Sequence, residues 1–371
     1  MSNPALETLA QRKREHLLQS MEPKNQAKGL AGFERVHLTH EALPEIDFTD
    51  LNLTTSCLTR SLATPFYVAG MTGGHPDAAA LNLRIAKACE TRGWAMGVGS
   101  QRADFIAGAG GQGPEKSTEK STEKSNEWRV LRKGAPHAVF FANLGVSQLT
   151  QDFSTKTLDR LKYLVESLEA QALALHLNVL QEALQPEGTP HFKGALKAIE
   201  RVCRELGTPV ILKETGCGFS QATLKRLQTL GLAAIDVSGL GGTHWGRIEG
   251  ARSANPVAQR AAETFANWGE STVDSVLAAR EVFGESNTGK QPEIWASGGV
   301  RSGLDAAKLL GLGADRVGYA QPALEAALAG SEALCQWMEI QEFELKVALF
   351  STGSCSVSEL RAGYGTKTRL N

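Results

Sequence analysis

No run of apolar residues in this chain approaches the roughly 18 that a membrane-spanning helix requires, so no membrane partner is expected. The opening stretch MSNPALETLAQRKREH has no apolar centre of the kind a secretory signal carries. The 6 cysteines, Cys57, Cys89, Cys203, Cys217, Cys335 and Cys355, show neither CxxC pairing nor metal-finger spacing. They are expected to be free thiols in a reducing cytoplasm. An excess of one charge is also missing. The 39 Lys and Arg against 40 Asp and Glu leave a formal net charge of −1, which excludes a polyanion-binding surface of the kind that holds nucleic acid. There is no early GxGxxG, which counts against a doubly wound dinucleotide sheet, the runner-up fold.

What the chain has in quantity is glycine, 38 of 371 residues. Many glycines follow apolar runs directly, where they serve tight turns or ligand loops. Eight strand-like runs recur: Phe66 to Met71, Trp94 to Gly99, Ala138 to Leu144, Ala172 to Asn178, Pro209 to Glu214, Ala234 to Ser238, Ile294 to Ser297 and Arg316 to Tyr319. Between them lie segments of helical periodicity: Asp77 to Thr91, Thr155 to Glu169, Phe192 to Glu205, Gln221 to Leu230, Pro256 to Val282 and Gly303 to Leu310. Gly207, Gly231 and Gly313 close several of these as C-caps. Eight alternating units predict an α/β fold, a (β/α)8 TIM barrel over residues 63–330. Residues 1–62 form an N-terminal extension with a basic cluster, Arg12, Lys13 and Arg14. Residues 331–371 form a C-terminal helix, Ala333 to Phe350, and a tail. Residues 108–127 carry a polar EKST repeat and read as a flexible surface insertion.

Barrel enzymes place their chemistry at the C-terminal ends of the strands, and here all eight ends are polar or glycine-rich. In strand four, side-chain alternation puts Leu173, Leu175 and Leu177 on one face and Ala172, Ala174, His176 and Asn178 on the other. Gln181 and Glu182 follow at the strand end. The most specific chemical signal is ASGGVR, Ala296 to Arg301, followed by a helix. A glycine-rich turn and a helix N-terminus there suit a phosphate. Flavin mononucleotide (FMN) is the natural occupant, with its ring near Thr72, Ser100, Asn143 and Lys213. A cation such as Lys213 favours an anionic reduced flavin. Glu182 is the one obvious carboxylate in its cluster and suits Mg²⁺ shared with a substrate diphosphate, although a surface salt bridge is the plainer reading. His176 fits either a core histidine or a substrate contact. Arg12, Lys13 and His16 fit either a solvated face or, together with Arg102, a convergent anion site.

Taken together, RKREH, AGMTGG, GSQRA, ANLG, HLNVLQEALQPEG, KETGCGFS, IDVSGLGGTHW and ASGGVRSGLDAAKLLGLGAD resemble the flavin-dependent, type 2 isopentenyl-diphosphate isomerases, in family order and over nearly the whole chain. The resemblance implies interconversion of isopentenyl and dimethylallyl diphosphate by a 1,3-allylic proton shift in isoprenoid biosynthesis. It implies reduced FMN as acid and base, NADPH as reductant, Mg²⁺, and a homo-oligomer, tetramer or octamer. Carried over, the FMN contacts are Gly70, Met71, Thr72, Ser100, Asn143, Lys213, Ser238, Thr243, Gly299, Val300, Arg301, Ala320 and Gln321. The substrate contacts are Arg12, Lys13, His16, Ser100, Gln101, Arg102, His176, Asn178 and Gln181. Glu182 holds the metal, and Gln181, Glu182, His176, Lys213 and Trp245 form the catalytic set. Two other readings compete: an FMN barrel oxidoreductase of the 2-hydroxy-acid oxidase type, in which His244 and Arg247 would have to serve, and a non-catalytic flavin-binding barrel.

Overall fold

The computed structural model describes residues 4–71, 73, 76–107, 126–150, 153–284 and 291–370. Thr72 and most of the 108–127 insertion lie outside them.

The eight expected strands form one closed, all-parallel barrel. They are β1 Phe66–Val68, β2 Ala95–Gly97, β3 Val139–Gly145, β4 Ala172–His176, β5 Val210–Lys213, β6 Ala234–Asp236, β7 Glu293–Ser297 and β8 Arg316–Tyr319. Each strand pairs with the next in sequence, and Val317 opposite Phe66 closes the ring. The strands are short and apolar because parallel strands covered by helices are buried on both faces. Strand four behaves as its alternation requires. Leu173 and Leu175 are fully buried in the layer between barrel and helices, while Ala172 and Ala174 face the barrel interior. Burying each leucine contributes about 1.5–3 kcal/mol.

The interior is a plug of large side chains set against small ones. Tyr67 and Phe141 each pack their rings 5.0 Å from Trp295, and Ala95, Ala172, Ala174 and Ala234 leave them room. This fills the lower barrel and confines open space to the strand C-termini. The opposite end is closed by the hairpin Thr55–Cys57 and Arg60–Leu62, whose Leu58 N–H donates to Glu293 at 2.6 Å.

The predicted helix Pro256 to Val282 is two helices, Pro256–Thr264 and Thr272–Phe283. Between them Gly269 has φ 146°, and Glu270 bonds Cys217 and Leu240 through its backbone. The intervening loop thus extends the pairing above β5 and β6 instead of continuing a helix. The C-terminal helix, Ser331–Ser351, is anchored by Glu342, which accepts from Trp94 Nε1 at 2.7 Å and from Arg92. The tail strand Thr368–Leu370 pairs antiparallel with Val36–Leu38 of the extension.

Candidate active site

All eight strand ends open into one cleft, continuous with solvent. The N-terminal helix, Pro4–Met21, packs on the helices Trp245–Arg252 and Gln321–Ala329 and contributes Arg12, Lys13, His16, Leu17 and Ser20 to the cleft wall. The segment after it is fixed by backbone bonds. Ala27 N donates to Gly242 O (2.8 Å) and His244 N to Asn25 O (2.9 Å). Gln26, which sequence reasoning missed, is buried and donates to Ser20 O and Thr243 Oγ1.

One end of the cleft is a backbone cradle. Gly298 and Gly299 have φ of 104° and 78°, the left-handed region that favours glycine. A Cβ on Gly298 would lie 2.1 Å from Gly239 O, and one on Gly299 would lie 2.8 Å from the Gly241 carbonyl. Only bare backbone lets the β6 and β7 loops approach so closely. Ser238, at the end of β6, carries an unusual φ of 39°, the kind of strain that collects at ligand-binding sites. Arg301 braces the loops by donating to Gly241 O, Gly299 O and Gln26 Oε1. The helix expected to serve an anion, Gly303–Gly311, is closed by its own capping box, Ser302 with Asp305. The open N-terminus belongs instead to Gln321–Ala329. Its N-cap, Ala320, offers no side-chain cap, and Ala320, Gln321 and Pro322 all line the cleft. A phosphate fits between that terminus and the glycine cradle.

The second end is cationic. Arg12, 9% exposed, and Lys13 meet Arg102 from the short helix after β2. Arg12 Nε is buried without a partner. In the orientation that satisfies its amide, Gln185 accepts from Arg12 Nη1 (3.0 Å) and donates to Glu249 (3.1 Å). Lys13 Nζ donates to Ser100 O at 2.8 Å. Burial, followed by repulsion from Arg12, pushes the Lys13 pKa down to about 8. Burial and Arg102 lower that of Arg12. Like charges held together against that cost are what an anion site requires.

Between the two ends stands the strand-four cluster. Asn178 precedes the helix Val179–Leu184 without capping it through its side chain, and its Nδ2 donates to Gln181 and Glu182, each at 3.0 Å. Asn178 Oδ1 is buried and unpartnered. Glu182 is 6% exposed; one oxygen accepts from Asn178 and the other from Thr189 N at 2.6 Å. No cluster of three His, Cys, Asp or Glu suited to a metal exists among the described residues. One carboxylate on the cleft wall beside an unpaired amide oxygen still fits Mg²⁺, which usually keeps waters and substrate phosphates as its other ligands.

Glu249, a second residue missed in the sequence, lies behind this cluster, fully buried. It accepts from Gln181 Nε2 (2.8 Å), meets His16 Nε2 at 2.9 Å and pairs with Arg252 at 2.5 Å. Burial raises its pKa, but His16, Gln181 and Arg252 outweigh that and hold it below the ordinary carboxylate value. His16 in turn stacks edge-on against Trp245 with centroids 5.0 Å apart. Lys213 ends β5 at the cleft floor and donates to Glu214 O at 2.6 Å. Burial pushes the Glu214 carboxyl up to about 7, opposed by three backbone N–H donors from Thr215, Cys217 and Gly218.

Of the FMN, substrate, metal and catalytic residues that the resemblance implies, all but two line the cleft. Thr72 lies outside the described residues. Gln101 is turned away, bonded through its amide to Asn143 N and Leu164 O, and serves to brace β2 against β3. The pair that a hydroxy-acid oxidase would need is structural here. His244 caps the helix Trp245–Arg252 and faces Trp268 O, while Arg247 ties down Ala266, Lys24, Gln26 and Asn267.

The fold resembles solved flavoprotein barrels at low identity. A flavocytochrome b2 variant with sulfite bound aligns at a TM-score of 0.68 and 18% identity, over 99% of this chain and 86% of that one. A mandelate oxidase variant with a monooxide FMN adduct aligns at 0.62 and 20%, over 99% and 100%. The family described as FMN-dependent dehydrogenase matches residues 139–366. The sequence is 44% identical to the isopentenyl-diphosphate delta-isomerase of Legionella pneumophila (strain Corby), over 95% of this chain and 96% of that protein. It is 44% identical to the enzyme of the same name from Bdellovibrio bacteriovorus, over 95% and 96%, and 38% identical to that of Oceanobacillus iheyensis, over 95% and 94%. The chain therefore belongs to the isopentenyl-diphosphate delta-isomerases, within the wider FMN-dependent dehydrogenase family.

Proposed function

We propose that this chain interconverts isopentenyl and dimethylallyl diphosphate by a 1,3-allylic proton shift, using reduced FMN and Mg²⁺. The observation that carries this reading is the polarity of the cleft. A glycine cradle with an open helix N-terminus lies at one end, and Arg12, Lys13 and Arg102 converge at the other, with no carboxylate among the described residues bonded to Arg12 or Lys13. Two phosphate-bearing ligands therefore fit one cleft from opposite sides.

Bound and reduced, FMN supplies an electron-rich ring that can exchange a proton at N5 and stabilise cationic charge. The remaining work falls to the chain's own residues. Gly298, Gly299 and the N-terminus of Gln321–Ala329 would hold the FMN phosphate, and Lys213, which lines the cleft, would supply a positive charge that favours an anionic reduced flavin. Arg12, Lys13 and Arg102 would hold the diphosphate, and Glu182 with Asn178 Oδ1 would hold Mg²⁺. Gln181, fixed by Glu249, stands at the hydrocarbon end, and Trp245 excludes water from a protonated alkene carbon. The cluster supplies no independent acid and base pair, because Glu249 is held ionised and fully buried by its partners. Proton exchange is therefore chemistry that the bound flavin would supply. An anaerobic isomerase assay with reduced FMN, run with and without a chelator, tests the reading.

A further inference from the structure

We propose that Gln185 is a positioning residue for the diphosphate: its side-chain amide aims Arg12 into the cleft and keeps Glu249 from neutralising it. The proposal rests on the diphosphate reading above and concerns how Arg12 is held for that ligand.

The place of Gln185 follows from the turn that ends the helix Val179–Leu184. Gln185 is the C-cap, with its N–H on Gln181 O at 2.8 Å. Pro186 cannot continue the helix, and Gly188 N closes the turn on Gln185 O at 2.9 Å. A Cβ on Gly188 would lie 2.1 Å from Glu182 O, so the turn is tight. Residues three and four apart share one side of a helix, and Gln181, Glu182 and Gln185 all line the cleft.

Gln185 is 7% exposed, so both ends of its amide need partners inside the protein. The two it has are of opposite charge. Its oxygen accepts from Arg12 Nη1 at 3.0 Å, and its nitrogen donates to Glu249 Oε1 at 3.1 Å. The reversed amide would set its NH2 against the guanidinium and its oxygen against the carboxylate, which is repulsive at both ends. The two charges therefore fix the amide, and the amide fixes the guanidinium. A carboxylate in its place would also accept from Arg12, but as a direct ion pair it would compete with the diphosphate for the same cation. The neutral amide orients Arg12 and leaves its charge to the ligand. Burial and Arg102 oppose that charge, while Glu187 and Glu249 favour it. Glu249 thus supports Arg12 across the amide without occupying its donors. Arg12 Nε, buried and without a partner among the described residues, is a donor that the ligand can take up.

The test is a double-mutant cycle, read by calorimetric titration of the FMN-loaded protein with inorganic diphosphate and Mg²⁺. Gln185→Met keeps the volume and removes both polar ends. It should weaken binding about tenfold, the loss expected for a hydrogen bond to a charged group. With Arg12→Ala already present, the same substitution should leave binding nearly unchanged. Turnover of isopentenyl diphosphate by Gln185→Met should show the loss in KM more than in kcat. An equal fold-loss with and without Arg12 would mean that Gln185 acts through packing or touches the ligand itself, and would overturn the proposal. Gln185→Glu is nearly isosteric but sets a second carboxylate between Arg12 and Glu249. It should weaken binding by about as much as Gln185→Met with flavin retained, and binding at the wild-type level would also overturn the proposal. Unchanged diphosphate affinity in Arg12→Ala itself would instead overturn the diphosphate reading beneath it.

Discussion

Gln181 Nε2 donates to Glu249 Oε1 at 2.8 Å across 68 residues of sequence, joining the strand-four cluster to the helix that carries Trp245. Because Glu249 also holds His16 and Arg252, one buried carboxylate fixes groups from three separate parts of the chain.

Glu249→Ala should therefore be costly. Removing one partner of a buried charge network leaves the other charges uncompensated, at about 3–5 kcal/mol. Thermal unfolding should drop by several degrees. Glu249→Gln, which keeps the shape, should fold better yet raise KM through misplacement of His16 and Gln181. An unchanged melting curve for the alanine variant would contradict this role.

Much of this architecture was legible in the sequence. The eight strands were readable because parallel strands buried on both faces become short apolar runs that end in glycine or a polar residue. The strand-four alternation also held, since a period of two assigns each side chain a face. What escaped was long-range. Gln26 and Thr243 are separated by 217 residues, and neither looks unusual alone. Glu249 sits in WGRIEG like any surface glutamate, and nothing local predicts that it meets Gln181. Gln101 failed in the opposite sense: its neighbours Ser100 and Arg102 face the cleft, but the turn points its amide back into the β2–β3 packing. The S-x-x-D signal from Ser302 to Asp305 already closes the N-terminus of Gly303–Gly311, so the glycines before it do not make that helix end an anion site.

The cradle predicts a cofactor phenotype. Gly298→Ala introduces a Cβ 2.1 Å from Gly239 O at a φ of 104°, with backbone strain on the order of 1–3 kcal/mol. The purified variant should lose most of its bound flavin and remain folded by circular dichroism. Full flavin occupancy would show that the β6 and β7 loops can separate without consequence.

His176 gives stability a defined acid limb. Its folded pKa is depressed to about 3, whereas an unfolded histidine titrates near the usual 6.5. Between those values the unfolded chain binds the extra proton, so stability is present in full above about 6.5 and is lost as pH falls toward 3. Denaturant melts of the ligand-free protein should steepen across that window, and His176→Gln should flatten the dependence. A variant that tracks the wild type throughout would place the acid sensitivity elsewhere.

Lys13 acts at the other limb. With its pKa pushed down to about 8, the empty site loses a cation as pH rises through that value, and diphosphate affinity should weaken. Lys13→Arg, which stays charged, should shift that loss to higher pH. The comparison of binding curves at pH 7 and pH 9 checks it.

The central claim is that Glu182 holds a metal for a diphosphate isomerised over reduced flavin. The most direct measurement is anaerobic turnover of isopentenyl diphosphate to dimethylallyl diphosphate by wild type and Glu182→Gln, across a Mg²⁺ titration, with bound flavin quantified in each sample. The account predicts turnover only with reduced FMN. It also predicts at least a tenfold loss in Glu182→Gln, partly recovered at high Mg²⁺, with flavin retained. Equal activity with oxidised flavin, or Mg²⁺ dependence unchanged by the substitution, would contradict it.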